Sequence, residues 1–216
     1  MDSEDLKNGL LGRAKELAGV AAVRYGAARY GGPAIGRLHN DFDAAKALMQ
    51  EAKKNKYVDK FFTHGRLGNS LFIPNPESTE IYLGRRHFYK PGVVAHEIGH
   101  AINFKKTLNT KNLWHTVPFN NSNWIKPSAL GGAGTLIAAG DLLSDNQRAG
   151  IAALSTAGTL PSLIEESKAS WNGYKMMRGI GKGKLASLGA FIGLPSYLGY
   201  ASLPSIAYFL HSKPRN

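Results

Sequence analysis

Pro91-Gly92-Val93-Val94-Ala95-His96-Glu97-Ile98-Gly99-His100-Ala101-Ile102 is the stretch around which the rest of the chain organises itself. Proline suits the first turn of a helix, where its missing N–H has no partner to lose. Val93, Val94, Ile98, Ala101 and Ile102 then supply an apolar face that would bury the helix. Residues four apart lie on one helix face, so His96 and His100 can present two imidazoles to a single ion, with Glu97 beside them. Gly99 leaves room for another element to approach closely. The chain has only 7 His, and an accidental His-Glu-x-x-His should arise on the order of once in a hundred such chains or less, which favours a zinc site over coincidence.

Upstream, Glu80-Ile81-Tyr82-Leu83-Gly84 reads as a strand after a loop at Pro76. Phe61-Phe62-Thr63 and Ser70-Leu71-Phe72-Ile73-Pro74 read as two more short strands around a turn holding Gly65 and Gly68, giving a small antiparallel sheet. Before them, a helix is predicted from the cap Asp41 to about Asn55, with Phe42, Ala45, Leu48, Met49 and Ala52 as its apolar stripe. An amphipathic helix over Leu6 to Tyr30 carries Leu10, Leu11, Ala14, Leu17, Ala18 and Ala21, and Gly31-Gly32-Pro33 ends it.

Downstream, Leu113 to Pro127 is rich in Asn, Trp and Pro and reads as loop. Ser128 to Gly140 and Ala149 to Ile164 form a predicted helical hairpin around a polar turn with Asp141, Asp145 and Arg148; each arm is short for a membrane span, which needs roughly 20 apolar residues. Leu185 to Leu210 has no charged residue and is long enough to cross a bilayer, although Pro195 and Pro204 would kink any helix there. Two readings of it stand level: a membrane span, and a Gly- and Ser-rich helical pair packed on the core or on a partner protein. The division expected is an N-terminal helical segment (1–56), a catalytic core (57–171) and a basic, apolar C-terminal appendage (172–216).

A chain of 216 residues holds one domain with a real core, and a second full domain would be a squeeze. The net charge of +12 suits an anionic partner, and no acidic residue follows Glu166. Nucleic acid is the weaker candidate, because charge alone supports it. With 0 Cys, neither a disulfide framework nor a thiolate metal site is possible. The acidic start Met1-Asp2-Ser3-Glu4-Asp5 lacks the basic region of a secretory signal, so a signal peptide is not expected; a membrane-associated location is expected from Leu185 to Leu210, the alternative being a soluble protein or part of a large assembly. Gly179-Ile180-Gly181-Lys182-Gly183-Lys184 and Gly131-Gly132-Ala133-Gly134 lack the preceding strand that a phosphate or dinucleotide loop requires; they read as a basic linker and as helix packing.

Catalytic zinc usually takes three protein ligands and keeps one position for water. Glu165 and Glu166 are the candidates for the third, the remaining histidines, His39, His64, His87, His115 and His211, standing in no ligand-like pattern. Glu166 is preferred, since Ala169 and Ser170 give its helix face small side chains that can press against the His96 helix, whereas Glu165 lies about a hundred degrees round. His115 and Tyr174 are candidates for a second electrophile.

His96-Glu97-Ile98-Gly99-His100-Ala101 followed by Glu166-Ser167-Lys168-Ala169-Ser170 resembles the gluzincin metallopeptidases, above all the HtpX-like and CAAX-prenyl-protease families and the small neutral zinc metallopeptidases. The resemblance runs from about Phe61 to Trp171. It implies a mainly helical α+β core with a helical hairpin between the ligands, zinc held by His96, His100 and Glu166, and Glu97 as the base that takes a proton from the attacking water. It also implies that Glu80 to Gly84 is an edge strand that binds extended substrate. The expected activity is zinc-dependent endopeptidase hydrolysis of a peptide or protein. The expectation from another class is a structural or membrane-penetrating component of a larger assembly that retains the fold.

Overall fold

Asp41 opens the first helix, α1 (Phe42–Lys54): its Oδ1 accepts from the Ala44 N–H at 2.9 Å, a donor that the helix itself leaves unpaired. The computed structural model describes residues 40–64, 70–75, 77–109 and 125–212, together with Gly19 and Ala22, both helical. The helix expected over Leu6 to Tyr30 therefore lies otherwise outside the described residues. In α1 the buried face is Ala44, Ala45, Leu48, Met49 and Ala52. Phe42, expected in that stripe, is 44% exposed and instead touches the rings of Phe88 and Tyr89 at 5.8 and 5.6 Å. Past the cap Asn55, Lys56 takes a left-handed conformation (φ 55°) and turns the chain towards the sheet.

The sheet has three strands, β1 (Lys60–His64), β2 (Leu71–Ile73) and β3 (Glu80–Gly84), in the order β1-β3-β2. β3 runs parallel to β1, with Phe61 opposite Ile81, and antiparallel to β2, with Phe72 also opposite Ile81. The sheet is thus mixed and not antiparallel, and Glu80–Gly84 is its central strand, not an edge. Burial explains the order: Ile81 and Leu83 are both 0% exposed, while Phe62, Leu71 and Ile73 are 38–44% exposed. The strand with the most to bury takes the middle, where both rows of backbone groups are paired.

Helix α2 (Pro91–Asn109) carries the histidine motif and buries Val93, Val94, Ile98, Ala101 and Ile102 as its sequence predicts. The next described helix, α3, spans Ile125–Ala139, so the last residues of the predicted Leu113–Pro127 loop are helical. A short 3₁₀ turn (Gly140–Leu142) leads into α4 (Asp145–Gly179). A capping box starts α4, the Ser144 side chain bonding the Gln147 N–H and the Gln147 side chain returning to the Ser144 N–H. Its 35 residues make a rod roughly 50 Å long, which passes through Pro161 and extends far beyond Ile164, where the hairpin arm was expected to end.

Residues 185–210 do not form one helix. They divide into α5 (Lys184–Ser187), a 3₁₀ turn (Leu188–Phe191) and α6 (Leu194–Ser212). Among the described residues, no helix is long and apolar enough to cross a membrane. Leu203 and Ala207 of α6 are fully buried with Ala133, Leu136 and Ile137 of α3 and Ala152 of α4. A larger core joins Leu48 and Met49 of α1, Ile81 and Leu83 of β3, Val94 and Ile98 of α2, Met177 of α4 and Ala190. All three sequence segments contribute to it, and the division after Trp171 falls inside α4. The Lys182 ammonium also meets Asp41 Oδ2 at 2.6 Å, tying the end of α4 to the start of α1. The fold is α+β and mainly helical.

Candidate metal centre

The site lies where α2 crosses α4, and glycines set how closely the two approach. A Cβ built on Gly99 would collide with the backbone of Ala169, and one on Gly173 would come within 2.6 Å of the Ala95 carbonyl oxygen. Backbone thus meets backbone at both contacts, and side chains of the facing turns are forced together. The small residues after Glu166 do meet the histidine helix, at Gly99, as expected.

This crossing brings His96, His100 and Glu166 into one group. His96 Nε2 lies 3.1 Å from Glu166 Oε2, His100 Nε2 lies 3.6 Å from Glu166 Oε1, and the two Nε2 atoms are 3.2 Å apart. The outer nitrogens are engaged elsewhere. His96 Nδ1 faces the Ala190 carbonyl at 3.1 Å, and His100 Nδ1 faces Glu165 Oε1 at 2.8 Å. A carbonyl and a carboxylate can only accept, so each ring donates from Nδ1, and in its neutral form keeps a bare lone pair on Nε2. Two lone pairs and a carboxylate oxygen converge on one point. Glu166 Oε2 is buried and accepts no hydrogen bond of ordinary geometry, although His96 is so near. Such a cluster repels itself unless a cation or proton fills it. Four donors about 2.0–2.2 Å from a tetrahedral zinc stand about 3.3–3.5 Å apart, and the separations here bracket that edge. The residues fit a metal ion in both chemistry and spacing.

The electrostatics agree. Burial alone would discharge His100, but the Glu166 carboxylate and the hydrogen bond to Glu165 outweigh it and hold the ring well above its ordinary pKa of 6.5 in the metal-free protein. Burial likewise pushes Glu166 up, but the charge of His100 and the contacts with both imidazoles overcome it, leaving this carboxylate far below the usual range. The protein has made a positive charge indispensable at this point.

Glu97, 7% exposed, stands beside the group. Burial raises its pKa, the two histidines oppose that rise, Glu166 adds to it, and the backbone N–H of Phe72 donates to its carboxylate. A raised carboxylate is suited to carrying a proton during a reaction. The same contact identifies the strand beside the site as β2, whose other side pairs with β3. The Phe72 ring lies parallel to that of His100 with centroids 6.4 Å apart.

Several participants are not visible from the motif. Glu165, read as the less suitable ligand, is 7% exposed and grips His100 from behind. Asn103 donates to both Glu165 oxygens at 3.3 Å, and Asn172 donates to Asn103 Oδ1 at 2.5 Å. The signal was spacing: Asn103 follows His100 by three residues and Asn172 follows Glu165 by seven, so each shares a helix face with its partner. Ser170 Oγ sits 3.2 Å from His96 Nδ1. From α6, the Tyr197 hydroxyl faces Glu166; burial first, and then the Glu166 and Glu97 carboxylates, drive its pKa up. Tyr174 is occupied elsewhere, stacked on Trp171 at 5.4 Å, and His115 lies outside the described residues. Over the ligand atoms, a Cβ on Gly193 would stand 3.2 Å from His96 Nε2. Comparison with family models, with curated proteins and with solved structures finds no match for this chain.

Proposed function

We propose that the protein is a zinc-dependent peptidase whose ligands are His96, His100 and Glu166 and whose general base is Glu97. The observation that carries this reading is the convergence of two imidazole Nε2 atoms and an orphaned carboxylate oxygen beside a separate, buried carboxylate. Zinc, when bound, acidifies a water and polarises a carbonyl, the two requirements of amide hydrolysis at neutral pH. Glu97 accepts the proton of the attacking water and returns it to the leaving amine. Glu165 and the Ala190 carbonyl hold the imidazoles in the tautomer that leaves Nε2 free. The Tyr197 hydroxyl replaces His115 and Tyr174 as the candidate for stabilising the developing oxyanion. Strand addition of an extended peptide moves from β3, which is paired on both sides, to the outer edge of β2 beside Glu97.

Metal analysis of the purified chain together with Glu97→Gln tests the reading. The variant should keep near-stoichiometric zinc, since Glu97 is not among the ligands, and lose about 10²–10⁴-fold in peptide hydrolysis. Wild-type activity in the variant removes the mechanism. A second reading, a structural component of an assembly, draws on the depth of the site: His96, Glu97 and Glu166 are 5–7% exposed and Gly193 packs over them. Zinc retained by both proteins with no hydrolysis by either selects it.

A further inference from the structure

Helix α4 carries a second pattern, on the side away from the metal. Leu154, Ala157, Pro161, Ile164, Lys168, Trp171, Lys175 and Arg178 recur at alternating spacings of three and four, and every one of them is exposed. Leu154, Ile164 and Trp171 are 77%, 50% and 54% exposed, unusual values for side chains of that size. The repeat averages 3.5 residues, so the eight lie along one face of the rod with only a gradual drift. The stripe is divided. Its first half is apolar and its second half basic, Lys168, Lys175 and Arg178 with Trp171 among them. Asp145, the exposed acid at the head of the helix, is nine residues before Leu154 and points to the opposite side. No acidic residue follows Glu166 anywhere in the chain.

We infer that this face of α4 lies on an anionic phospholipid surface, with Leu154 and Ile164 entering the acyl boundary and Lys168, Lys175 and Arg178 meeting the phosphates. One stripe carries the side chains that an anionic bilayer surface binds: leucine and isoleucine for the acyl boundary, tryptophan for the amphipathic belt, and lysine and arginine for the negatively charged headgroups. A second copy of the chain fits poorly. Pairing antiparallel sets the apolar half against the basic half, and pairing in parallel sets Lys168 and Lys175 against themselves. The contact is peripheral, and it involves different residues from Leu185–Leu210, whose α6 packs on α3 and α4. It is independent of the zinc chemistry.

Flotation of the full-length chain with phosphatidylcholine vesicles, with and without phosphatidylserine, tests it. The wild type should float with the mixed vesicles, float much less with phosphatidylcholine alone, and be released by raised salt. Replacing Lys168, Lys175 and Arg178 together by Gln should lower partitioning by on the order of a hundredfold. Leu154→Gln with Ile164→Gln should lower it by about tenfold or more, on either lipid. Zinc content and far-ultraviolet circular dichroism of each variant report that the fold persists. Failure of the wild type to float on phosphatidylserine vesicles overturns the inference, as does flotation that both sets of variants leave unchanged. A dimer in sedimentation that the stripe variants dissolve overturns it in favour of a second copy.

Discussion

The two halves of α4 are built on opposite plans. Its C-terminal half crosses α2 through glycines that face backbone: Gly99 meets the backbone of Ala169 and Gly173 meets the Ala95 carbonyl. Around that crossing, Glu165, Asn103, Asn172 and His100 form a chain of hydrogen bonds sealed from solvent. Its N-terminal half packs on α3 and α6 through Ala133, Leu136, Ile137, Ala152, Leu203 and Ala207, with no polar link among them. Glycines there meet side chains and not backbone: a Cβ on Gly132 would run into the Ser155 side chain and one on Gly158 into that of Ser128, while Gly131, Gly134 and Gly150 face nothing within 4 Å. One half is fixed by contacts that have no slack, the other by apolar packing that can adjust. Position tolerance, and not hydrophobicity, separates the part that could hold a metal from the part that could not.

The contrast is most easily broken at Gly99. Gly99→Ala places a methyl group against a backbone that cannot rotate away, and should cost about 3 kcal/mol or more, read as a lowered urea midpoint together with lost zinc. A loss below about 1 kcal/mol would mean that the crossing is looser than its geometry.

Next in size is the pair of neighbouring carboxylates. Glu166→Ala removes a proposed ligand, and zinc affinity should fall by more than about a hundredfold. Glu165→Ala, acting only through the orientation of His100, should cost about 10–100-fold, with Glu165→Gln recovering part by still accepting from Nδ1. Competition against a zinc indicator measures both. Equal losses would mean that the two residues share the metal.

Protons sharpen the comparison further, because His100, Glu97 and Glu166, whose pKa values are shifted, gather at the crossing of α2 and α4. In the metal-free protein the pKa of His100 is raised above 6.5, so its stabilisation is complete below that value and disappears as pH rises through the raised one. Zinc binding runs the other way: the ring must lose its proton first, so affinity should gain about tenfold per pH unit up to that raised value. Zinc titrations across neutral pH that show no slope would argue that His100 is neutral before the metal arrives.

The smallest effect is the mirror image of the first. Gly134→Ala, inside α3 with open space around it, should stabilise by about 0.5–1 kcal/mol through the unfolded chain, seen as a raised Tm.

What the sequence disclosed follows the same divide. Helical periodicity and the cap Asp41 gave α1, and the motif gave α2, because both signals are local. The group His96, His100 and Glu166 was also legible, since the small residues Ala169 and Ser170 marked the face of α4 that meets α2. The strand order was not, because pairing is decided by which strand has most to bury: Phe61, Ser70 and the intervening glycines read as a hairpin until Ile81 and Leu83 claim the middle. The role of Glu165 was hidden for a related reason. Adjacent residues on a helix diverge by about a hundred degrees, and only a helix as near as α2 can touch both. Leu185–Leu210 looked long enough to span, but hydropathy carries no sign of the 3₁₀ turn at Leu188–Phe191 that interrupts the run before Gly193, and Pro195 falls in the first turn of α6, where a proline fits.

The crossing of α2 and α4 also fixes when the site can exist. His100 and Glu165 are 65 residues apart in the chain, and His96 and the Ala190 carbonyl are 94 apart. Closing loops of that length is entropically uphill until other contacts reward it, which favours late formation of these pairs. On that ground the local helices and strand pairs come before the donors meet. An ion that binds there selects the finished fold over every partly folded competitor, and stabilises it in proportion to the logarithm of its concentration. Zinc supply during synthesis should therefore change how much native protein accumulates while leaving the speed of the early steps untouched.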